Sequence, residues 1–306
     1  MWCSPQPHPP TELLQIRHNC RTMTDLHTYL SEVLPDEIVA MVPLGGGDVA
    51  DSYRVMLADN TTVFAKTKTD APPGFFITEA AGLTWLRQAG AVAVPQVIAV
   101  SDSPAVLVQE WIQPGYPNPD SEAILGRSLA ALHRAGASTF GREDRRSTGS
   151  RGLPNEPCET WPEFYATQRL LPLARLAHDG AALPESSIRQ LEGVAARIDD
   201  LCGPPEPAAR LHGDLWAGNR LIGDGGVSWI IDPAAHGGHR EFDLSMMRLF
   251  GGFGAECFAA YDEVAPLADG WAERIPLHQL APLVVHSIKF GGPYVAATQQ
   301  ALASLA

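Results

Sequence analysis

The sequence has few cysteines, little positive charge and no long apolar run, and each shortage excludes a class of protein. Its five cysteines are far apart, with no CxxC pair and no zinc-type His spacing, so neither a disulfide framework nor a zinc finger is expected. No stretch reaches the roughly 18 apolar residues of a membrane span, and the N-terminus lacks a basic region followed by an apolar run. We therefore expect a cytoplasmic protein with no membrane partner.

Positive charge is scarce and consists almost entirely of arginine. The chain has 22 Lys and Arg against 35 Asp and Glu, a formal net charge of −13, so its mean surface field repels phosphate backbones and nucleic acid is not an expected partner. The only lysines are Lys66, Lys68 and Lys289, so a role that requires lysine has few candidates. A length of 306 residues fits two small domains or one bilobal enzyme, which we expect to be a monomer.

The pattern of apolar residues divides the chain into three segments. Residues 1–22 are rich in Pro and His without an apolar period, which predicts a disordered tail or a mis-assigned start before Met23. Residues 23–112 predict five antiparallel strands and a helix over about Phe75 to Gln88, while residues 113–306 are mostly helical. The predicted fold class is α+β, with a small antiparallel-sheet N-lobe and a larger, mainly helical C-lobe.

The strongest chemical signal is the stretch His212 to Asn219, followed by an apolar strand that ends in Asp232. Phosphoryl transfer needs a group that orients a hydroxyl and hard oxygen ligands for Mg²⁺. We predict that Asp214 is the catalytic base and that Asn219 and Asp232 are the magnesium ligands. A single loop Asp is usually a cap or turn residue, but this order and spacing follow the catalytic loop of protein kinases.

Two backbone segments of the N-lobe are candidates for binding ATP. A triple-glycine turn between two strands lets amides approach phosphates, although such a turn is more often only a hairpin. The connection between the lobes offers a backbone that could bind adenine, although it also fits an ordinary buried strand. The two segments are Gly45, Gly46 and Gly47, and Gln109, Glu110 and Trp111.

A lysine of the third strand is the candidate for contacting the nucleotide phosphates. Lys66 is favoured by its motif context, and Lys68 is its rival because it projects on the same face of the strand. Glu79, early in the following helix, could pair with Lys66 and hold it extended, or it could simply favour the first helical turn. We expect ATP and Mg²⁺ to bind between the two lobes.

Four motifs in the C-lobe resemble those of the fructosamine (ketosamine) kinase family. They are His212-Gly213-Asp214-Leu215-Trp216 with Gly218-Asn219, Ile231-Asp232-Pro233-Ala234, Arg240-Glu241-Phe242-Asp243-Leu244 and Leu249-Phe250-Gly251-Gly252-Phe253. The resemblance covers about residues 23–300. Because this family is related to the aminoglycoside and choline kinases, the resemblance implies a bilobal protein-kinase-like fold.

The resemblance also implies an activity, which is ATP-dependent phosphorylation of the 3-hydroxyl of a ketosamine. Its substrates would be fructosamine or ribulosamine adducts of amines or proteins, and its role would be deglycation. The implied substrate-site candidates are Trp216, His236, Arg240, Glu241 and Asp243. The charged residues among them could bind the sugar or could anchor the helix that follows, and the sequence does not choose between these roles.

Two other functions remain open at this stage. The first is a kinase for another amine-bearing hydroxyl substrate, such as an aminoglycoside or choline, which the acidic surface would also favour. The second is a nucleotide-binding pseudokinase, which is disfavoured because the predicted catalytic groups are all present. His278 and His286 receive no role from the sequence.

Overall fold

The computed structural model describes residues 25–45, 50–144, 147–148 and 152–306, which form two compact units. The first unit contains the described residues up to Ile77 together with Val97–Trp111, and the second contains Thr78–Gln96 and Ile112–Ala306. The segment from 1 to 22, Gly46 and Gly47 lie outside the described residues. The division of the chain at residue 112 stays a prediction.

The first unit is built on the predicted five-stranded antiparallel sheet, which has the order β1-β2-β3-β5-β4. Its strands are β1 (Ile38–Leu44), β2 (Asp51–Leu57), β3 (Thr62–Thr67), β4 (Val97–Asp102) and β5 (Ala105–Glu110). A helix over residues 25–33, α1, packs Leu26 and Leu30 against the sheet residues Val55, Val63 and Val108. The apolar side chains of α1 recur at helical spacing and those of the strands alternate, so each element buries one face.

A second helix, α2 (Phe75–Gln88), occupies the range that the sequence predicts. Gly90, with a φ of +61°, follows it in the left-handed conformation that ends many helices. Nη1 of Arg87 donates a hydrogen bond to the carbonyl of Val94 at 2.5 Å. This bond links the end of the helix to the chain that follows it.

The second unit is mainly helical, as predicted for the larger lobe. Its long helices after α2 are α3 (Ser121–Arg134), α5 (Leu171–Asp179), α6 (Glu185–Ala196), α8 (Glu241–Phe250), α9 (Ala255–Val264), α10 (Trp271–Phe290) and α11 (Pro293–Ser304). Two single-turn helices are α4 (Trp161–Phe164) and α7 (Ile198–Leu201), and a π-helical segment, Tyr165–Leu170, joins α4 to α5. No helix in the described ranges combines the length and the apolarity that crossing a bilayer requires.

Short strands of the second unit form three two-stranded sheets within the described residues. They are β6 (Ser147–Thr148) with β7 (Leu153–Pro154), β8 (Ala209–Leu211) with β11 (His236–Gly238), and β9 (Arg220–Ile222) with β10 (Ser228–Ile230). The β8–β11 and β9–β10 pairs are both antiparallel, so the loop 212–219 must run beside the loop 231–235. This topology brings the predicted catalytic residues to one place.

Candidate active site

The loops 212–219 and 231–235 are joined by hydrogen bonds that bring the three predicted catalytic side chains together. Nδ2 of Asn219 donates to the carbonyl of Asp214 at 2.8 Å, to Oδ2 of the same residue at 3.1 Å and to the carbonyl of Asp232 at 3.5 Å. The backbone N–H of Ile231 donates to the carbonyl of Asn219 at 3.0 Å. The side-chain nitrogen of Asn219 therefore fixes the Asp214 carboxylate, and the amide oxygen of Asn219 can bind a further ligand.

Gly213, the residue before Asp214, can only be glycine in this arrangement. Its φ is +79°, and a Cβ at this position would lie 2.1 Å from the carbonyl oxygen of Ala234. A left-handed backbone and a close approach of two chains both require the absence of a side chain. The glycine thus allows the two loops to touch beside Asp214, the predicted catalytic residue.

A buried carboxylate, that of Asp243 at the start of α8, holds the catalytic loop from behind. Its Oδ2 accepts the backbone N–H of His212 at 2.7 Å and its Oδ1 accepts that of Gly213 at 2.9 Å. Burial favours the protonated form, but the hydrogen bond and charge of His133, with the contact to Gly213, lower the pKa of Asp243. The carboxylate is therefore ionised and acts as an anchor, one of the two roles left open by the sequence.

His212 completes the support of the loop. Its ring Nε2 donates to the carbonyl of Ile231 at 2.9 Å, and its Nδ1 accepts the backbone N–H of Asp214 at 3.2 Å. Burial lowers the pKa of His212, so the ring is neutral and the two nitrogens keep these distinct roles. The sequence motif identified this histidine without showing what it holds.

The Asp214 carboxyl has an unusual affinity for protons. Burial raises its pKa to about 7, the hydrogen bond from Asn219 opposes the rise, and the nearby carboxylates of Asp232 and Asp243 add to it. The Lys289 ammonium lowers it in part. A general base works best when its pKa lies near the operating pH, so Asp214 has the protonation behaviour of a base for a hydroxyl.

Asp232 differs from Asp214 in being exposed. It follows β10 by two residues and has a φ of +55°, a left-handed conformation that Asp tolerates better than most residues. The turn directs the chain from β10 back towards β11. The Asp232 carboxylate is near enough to Asp214 to raise its pKa, and with the Asn219 amide oxygen it offers hard-oxygen donors of the kind that suit a magnesium ion.

An aromatic surface begins at Trp216, two residues after Asp214. Trp216 is 38% exposed and meets Phe250 edge to face at 5.9 Å between ring centroids. Phe250 lies 4.7 Å from His286, which lies 5.5 Å from Phe290 and 4.9 Å from Tyr294. We call these five side chains the aromatic surface. Of these five, the sequence named only Trp216 as a substrate-site candidate, because the others come from the end of α8 and from α10 and α11.

The Leu-Phe-Gly-Gly-Phe motif attaches this surface to the catalytic loop. A Cβ on Gly252 would lie 2.3 Å from Cβ of Ala217, so only glycine allows the segment to pack there. Arg220 then clamps the segment: it donates to the carbonyl of Gly252 at 3.3 Å, pairs with Glu122 at 2.6 Å and lies over the ring of Phe253. The motif therefore positions Phe250 against Trp216.

Two more of the predicted substrate-site residues, His236 and Arg240, make their contacts inside the protein. The His236 ring is buried, stacks on Phe164 at 5.3 Å between centroids and donates from Nδ1 to the carbonyl of Ala234 at 2.8 Å. Arg240 forms a double contact with Glu206, with both nitrogen–oxygen distances 2.8 Å. The structure thus places His236 and Arg240 in supporting positions and does not bring them to the exposed aromatic rings.

Glu241 belongs to a buried cluster with His239 and His278, whose ligand-type atoms all lie within 4.8 Å of one another. Both oxygens of Glu241 accept from Arg274, at 2.9 and 2.6 Å, and the backbone N–H of Glu241 donates to Nδ1 of His239 at 3.3 Å. Burial opposes ionisation, but hydrogen bonds from His278 and Arg274 lower the pKa of Glu241 to about 2. Since the guanidinium already neutralises the carboxylate, the cluster is an internal ion-pair network and not an open metal site.

The nucleotide-site candidates of the first unit lie on its sheet. Lys66 is buried on β3, which pairs with β2 and β5, and its Nζ lies 5.8 Å from the ring centroid of Phe76. Lys68 is only partly buried, with its Nζ 5.9 Å from the ring of Phe75. The two lysines thus differ in burial, and the choice of Lys66 as the lysine that contacts the nucleotide stays a prediction.

The remaining candidates of the first unit lie on strands of this sheet or directly after them. Gln109 is buried on β5 opposite Phe64, Glu110 ends the strand, and Trp111 follows it with the Arg54 guanidinium 5.0 Å from its ring. Gly45 is exposed just after β1. Glu79 belongs to the second unit, and its pairing with Lys66 stays a prediction.

Comparison with known proteins shows to which family this chain belongs. The profile of the family described as fructosamine kinase matches residues 22–306. A protein from Enterococcus faecium named as a ketoamine kinase is 32% identical over 283 residues, which are 91% of this chain and 99% of that protein. Another from Thermus thermophilus, named in the same way, is 34% identical over 266 residues, with 86% and 93% coverage.

Solved structures agree with these relatives. A crystal structure of a Thermobifida fusca protein, named for fructosamine-3-kinase, is 43% identical with a TM-score of 0.84, covering 91% of this chain and 97% of that one. The choline kinase from Streptococcus pneumoniae is 14% identical with a TM-score of 0.62, at 93% and 99% coverage, and shares the fold. The predicted kinase-like α+β fold is therefore confirmed, and the chain belongs to the fructosamine kinase family of phosphotransferases.

Proposed function

We propose that the protein transfers the γ-phosphoryl group of ATP to a sugar hydroxyl of a ketoamine. Asp214 accepts the hydroxyl proton while the hydroxyl oxygen bonds to the γ-phosphorus and the bond to the β,γ-bridging oxygen breaks, which releases ADP. The observation that carries this proposal is the position of the Asp214 carboxylate. It is fixed by Asn219 at 3.1 Å, and its pKa of about 7 suits proton transfer.

The neighbouring oxygens fit a magnesium ion. We assign the amide oxygen of Asn219 and the carboxylate of Asp232 as its ligands, because hard oxygen donors are the ones that Mg²⁺ prefers. When bound, the ion would neutralise the charge that develops on the nucleotide phosphates. The exposure of Asp232 leaves its carboxylate accessible to a metal that arrives with the nucleotide.

The residues that bind the nucleotide are proposed from the family resemblance. Lys66 is proposed to contact the phosphates, with Glu79 as its ion-pair partner, because a buried lysine supplies a compact positive charge. The glycines Gly45 to Gly47 and the backbone of residues 109–111 are proposed to approach the phosphates and the adenine respectively. These assignments follow the family resemblance and stay predictions.

The acceptor is proposed to be the 3-hydroxyl of a fructosamine or ribulosamine. The aromatic surface beside Asp214 offers ring faces on which a sugar can stack and a protonated amine can bind through cation–π contacts. The net charge of −13 also attracts a cationic amine. Phosphorylation at this hydroxyl would make the sugar adduct labile, so the proposed role is deglycation.

The test is release of ADP from ATP in the presence of Mg²⁺ with four acceptors in parallel. They are the fructosamine and ribulosamine derivatives of lysine, an aminoglycoside and choline. Asp214→Asn is the control, and its turnover should fall by about 10²- to 10⁴-fold, the usual contribution of a general base, while calorimetry shows nearly unchanged Mg·ATP affinity. Turnover confined to the ketoamines supports the proposal.

Other outcomes separate the alternatives. Turnover only with the aminoglycoside or choline would keep the kinase chemistry and discard the ketoamine. Nucleotide binding without turnover on any acceptor would favour a pseudokinase. Parent-level turnover in Asp214→Asn would refute the assignment of the base.

A further inference from the structure

Lys289 stands at the far end of the aromatic surface from the catalytic loop. It lies in the last turn of α10, is exposed, and its Nζ is 4.7 Å from the ring centroid of Phe290. Phe290 is 50% exposed and contacts the rings of His286 and Tyr294. A continuous set of ring contacts therefore joins the Lys289 side chain to Trp216 beside the catalytic base.

The Lys289 ammonium lies against this surface and takes no part in an ion pair among the described residues. Among the described residues, no carboxylate lies within ion-pair distance of its ammonium. A lysine in a last helical turn is favoured by the helix dipole, which accounts for a cation here but not for its place beside exposed rings. Its ammonium is also near enough to Asp214 to influence that carboxyl. In an acidic protein with only three lysines, a cation without a carboxylate partner beside the proposed substrate site is a candidate for binding a substrate anion.

The position of the acceptor hydroxyl limits where that anion can lie. The hydroxyl must come within hydrogen-bond reach of Asp214, so the sugar lies near Trp216 and the rest of the substrate extends over the neighbouring rings. Two rings, Phe250 and His286, separate Trp216 from Phe290. An anion at Lys289 therefore belongs to the amine part of the ketoamine, which extends from the sugar over these rings.

We propose that Lys289 binds the α-carboxylate of a free amino acid that is glycated on its side-chain amine. This inference rests on the proposed function and names its substrate class: a ketoamine of free lysine and not of a lysine within a polypeptide, where that carboxylate is an amide. The overall negative charge of the protein repels such a carboxylate, so a local cation is needed to hold it. Lys289 is thus a specificity-determining residue.

The test compares two substrates that differ in one charge. They are fructosyl-Nα-acetyl-lysine, which has a free carboxylate, and its carboxamide. An exposed ion pair is worth a few-fold in binding, so we expect kcat/KM to be about five-fold higher for the acid, mainly through KM. In Lys289→Gln this ratio should fall to about one, and in Lys289→Glu the carboxamide should become the better substrate; the ratio is the readout because loss of the ammonium near Asp214 changes kcat for both substrates alike.

A matched control removes a different positive charge. The Arg189 side chain on α6 is 69% exposed and 3.9 Å from Glu185, so Arg189→Gln changes the net charge equally and should keep the parent ratio. An equal ratio in the parent and in Lys289→Gln would overturn this inference while ketoamine turnover leaves the proposed function standing. Failure of the parent to phosphorylate either substrate, with turnover of another acceptor, would overturn both.

Discussion

Replacing Asp243 with asparagine should destabilise the protein and slow its turnover together. The carboxylate accepts the backbone N–H groups of His212 and Gly213 at 2.7 and 2.9 Å, and it is fully buried. Asparagine has one oxygen, so one of these amides would face an NH₂ group and lose its acceptor. One of the two hydrogen bonds by which Asp243 holds the loop before Asp214 would then be lost.

The size of the effect follows from two opposing contributions. A hydrogen bond to a charged group contributes about 1.5 to 3 kcal/mol, and a buried N–H without an acceptor costs about 1 to 3 kcal/mol. Asparagine is cheaper to bury than a carboxylate, which offsets part of this loss. Because the hydrogen bonds of Asp243 lower its pKa in spite of burial, they outweigh the desolvation cost. We expect a net loss of about 2 kcal/mol and, because an error of about 1 Å in placing a catalytic group costs about 100-fold, a fall in kcat of about 10- to 100-fold.

Thermal unfolding and ADP release measure the two effects on the same sample. A loss of about 2 kcal/mol should lower Tm by several degrees, while the KM for ATP changes little because the lysine proposed to contact the nucleotide is untouched. Asp200→Asn, at an exposed position of α7, removes the same charge and should leave both quantities at the parent values. Parent-level Tm and kcat in Asp243→Asn would refute the anchoring role.

Three further predictions concern the metal, the loop and pH. Asp232→Asn should weaken Mg²⁺-dependent nucleotide binding about tenfold or more, and calorimetry showing unchanged Mg·ATP affinity would contradict its assignment. Gly213→Ala should lower Tm far more than Gly225→Ala, because both glycines have positive φ but only Gly213 would clash, at 2.1 Å; equal losses in Tm would show that the contact is unimportant. Burial lowers the pKa of His236 to about 3 and, with the charge of His278, that of His239 to about 4, against about 6.5 when unfolded. The unfolded chain therefore binds more protons below about pH 6.5, so the free energy of unfolding should fall by about 2 kcal/mol from about pH 7 to about pH 5.5; coincident denaturation curves at the two pH values would exclude this linkage.

The secondary structure of the sheet unit follows closely from the sequence. The alternation of apolar residues predicts its five antiparallel strands, and the apolar spacing before Gly90 predicts the bounds of α2. These patterns are local, because each strand or helix buries one face and the apolar residues of that face recur at a fixed spacing within the segment. The order of the strands in the sheet, with β5 between β3 and β4, is a property of the fold that no single segment carries.

The roles of the charged motif residues could not be chosen from the sequence. Asp243 lies 31 residues from His212, and only the packing of α8 behind the catalytic loop makes the two residues partners. The same holds for Glu241, whose partner Arg274 is 33 residues away. The sequence showed that charge was present at these positions, and the contacts decided that it is used within the protein.

The sequence by itself determined the chemistry of this protein. The spacing of Asp214, Asn219 and Asp232 identifies phosphoryl transfer, because a short loop and the strand that follows it carry all three groups. Only the tertiary structure decided what surrounds that chemistry, namely the anchor at Asp243 and the aromatic surface that ends at Lys289. The physical reason is that these features are made by contacts between distant segments, and burial and distance depend on packing that the linear order of residues does not specify.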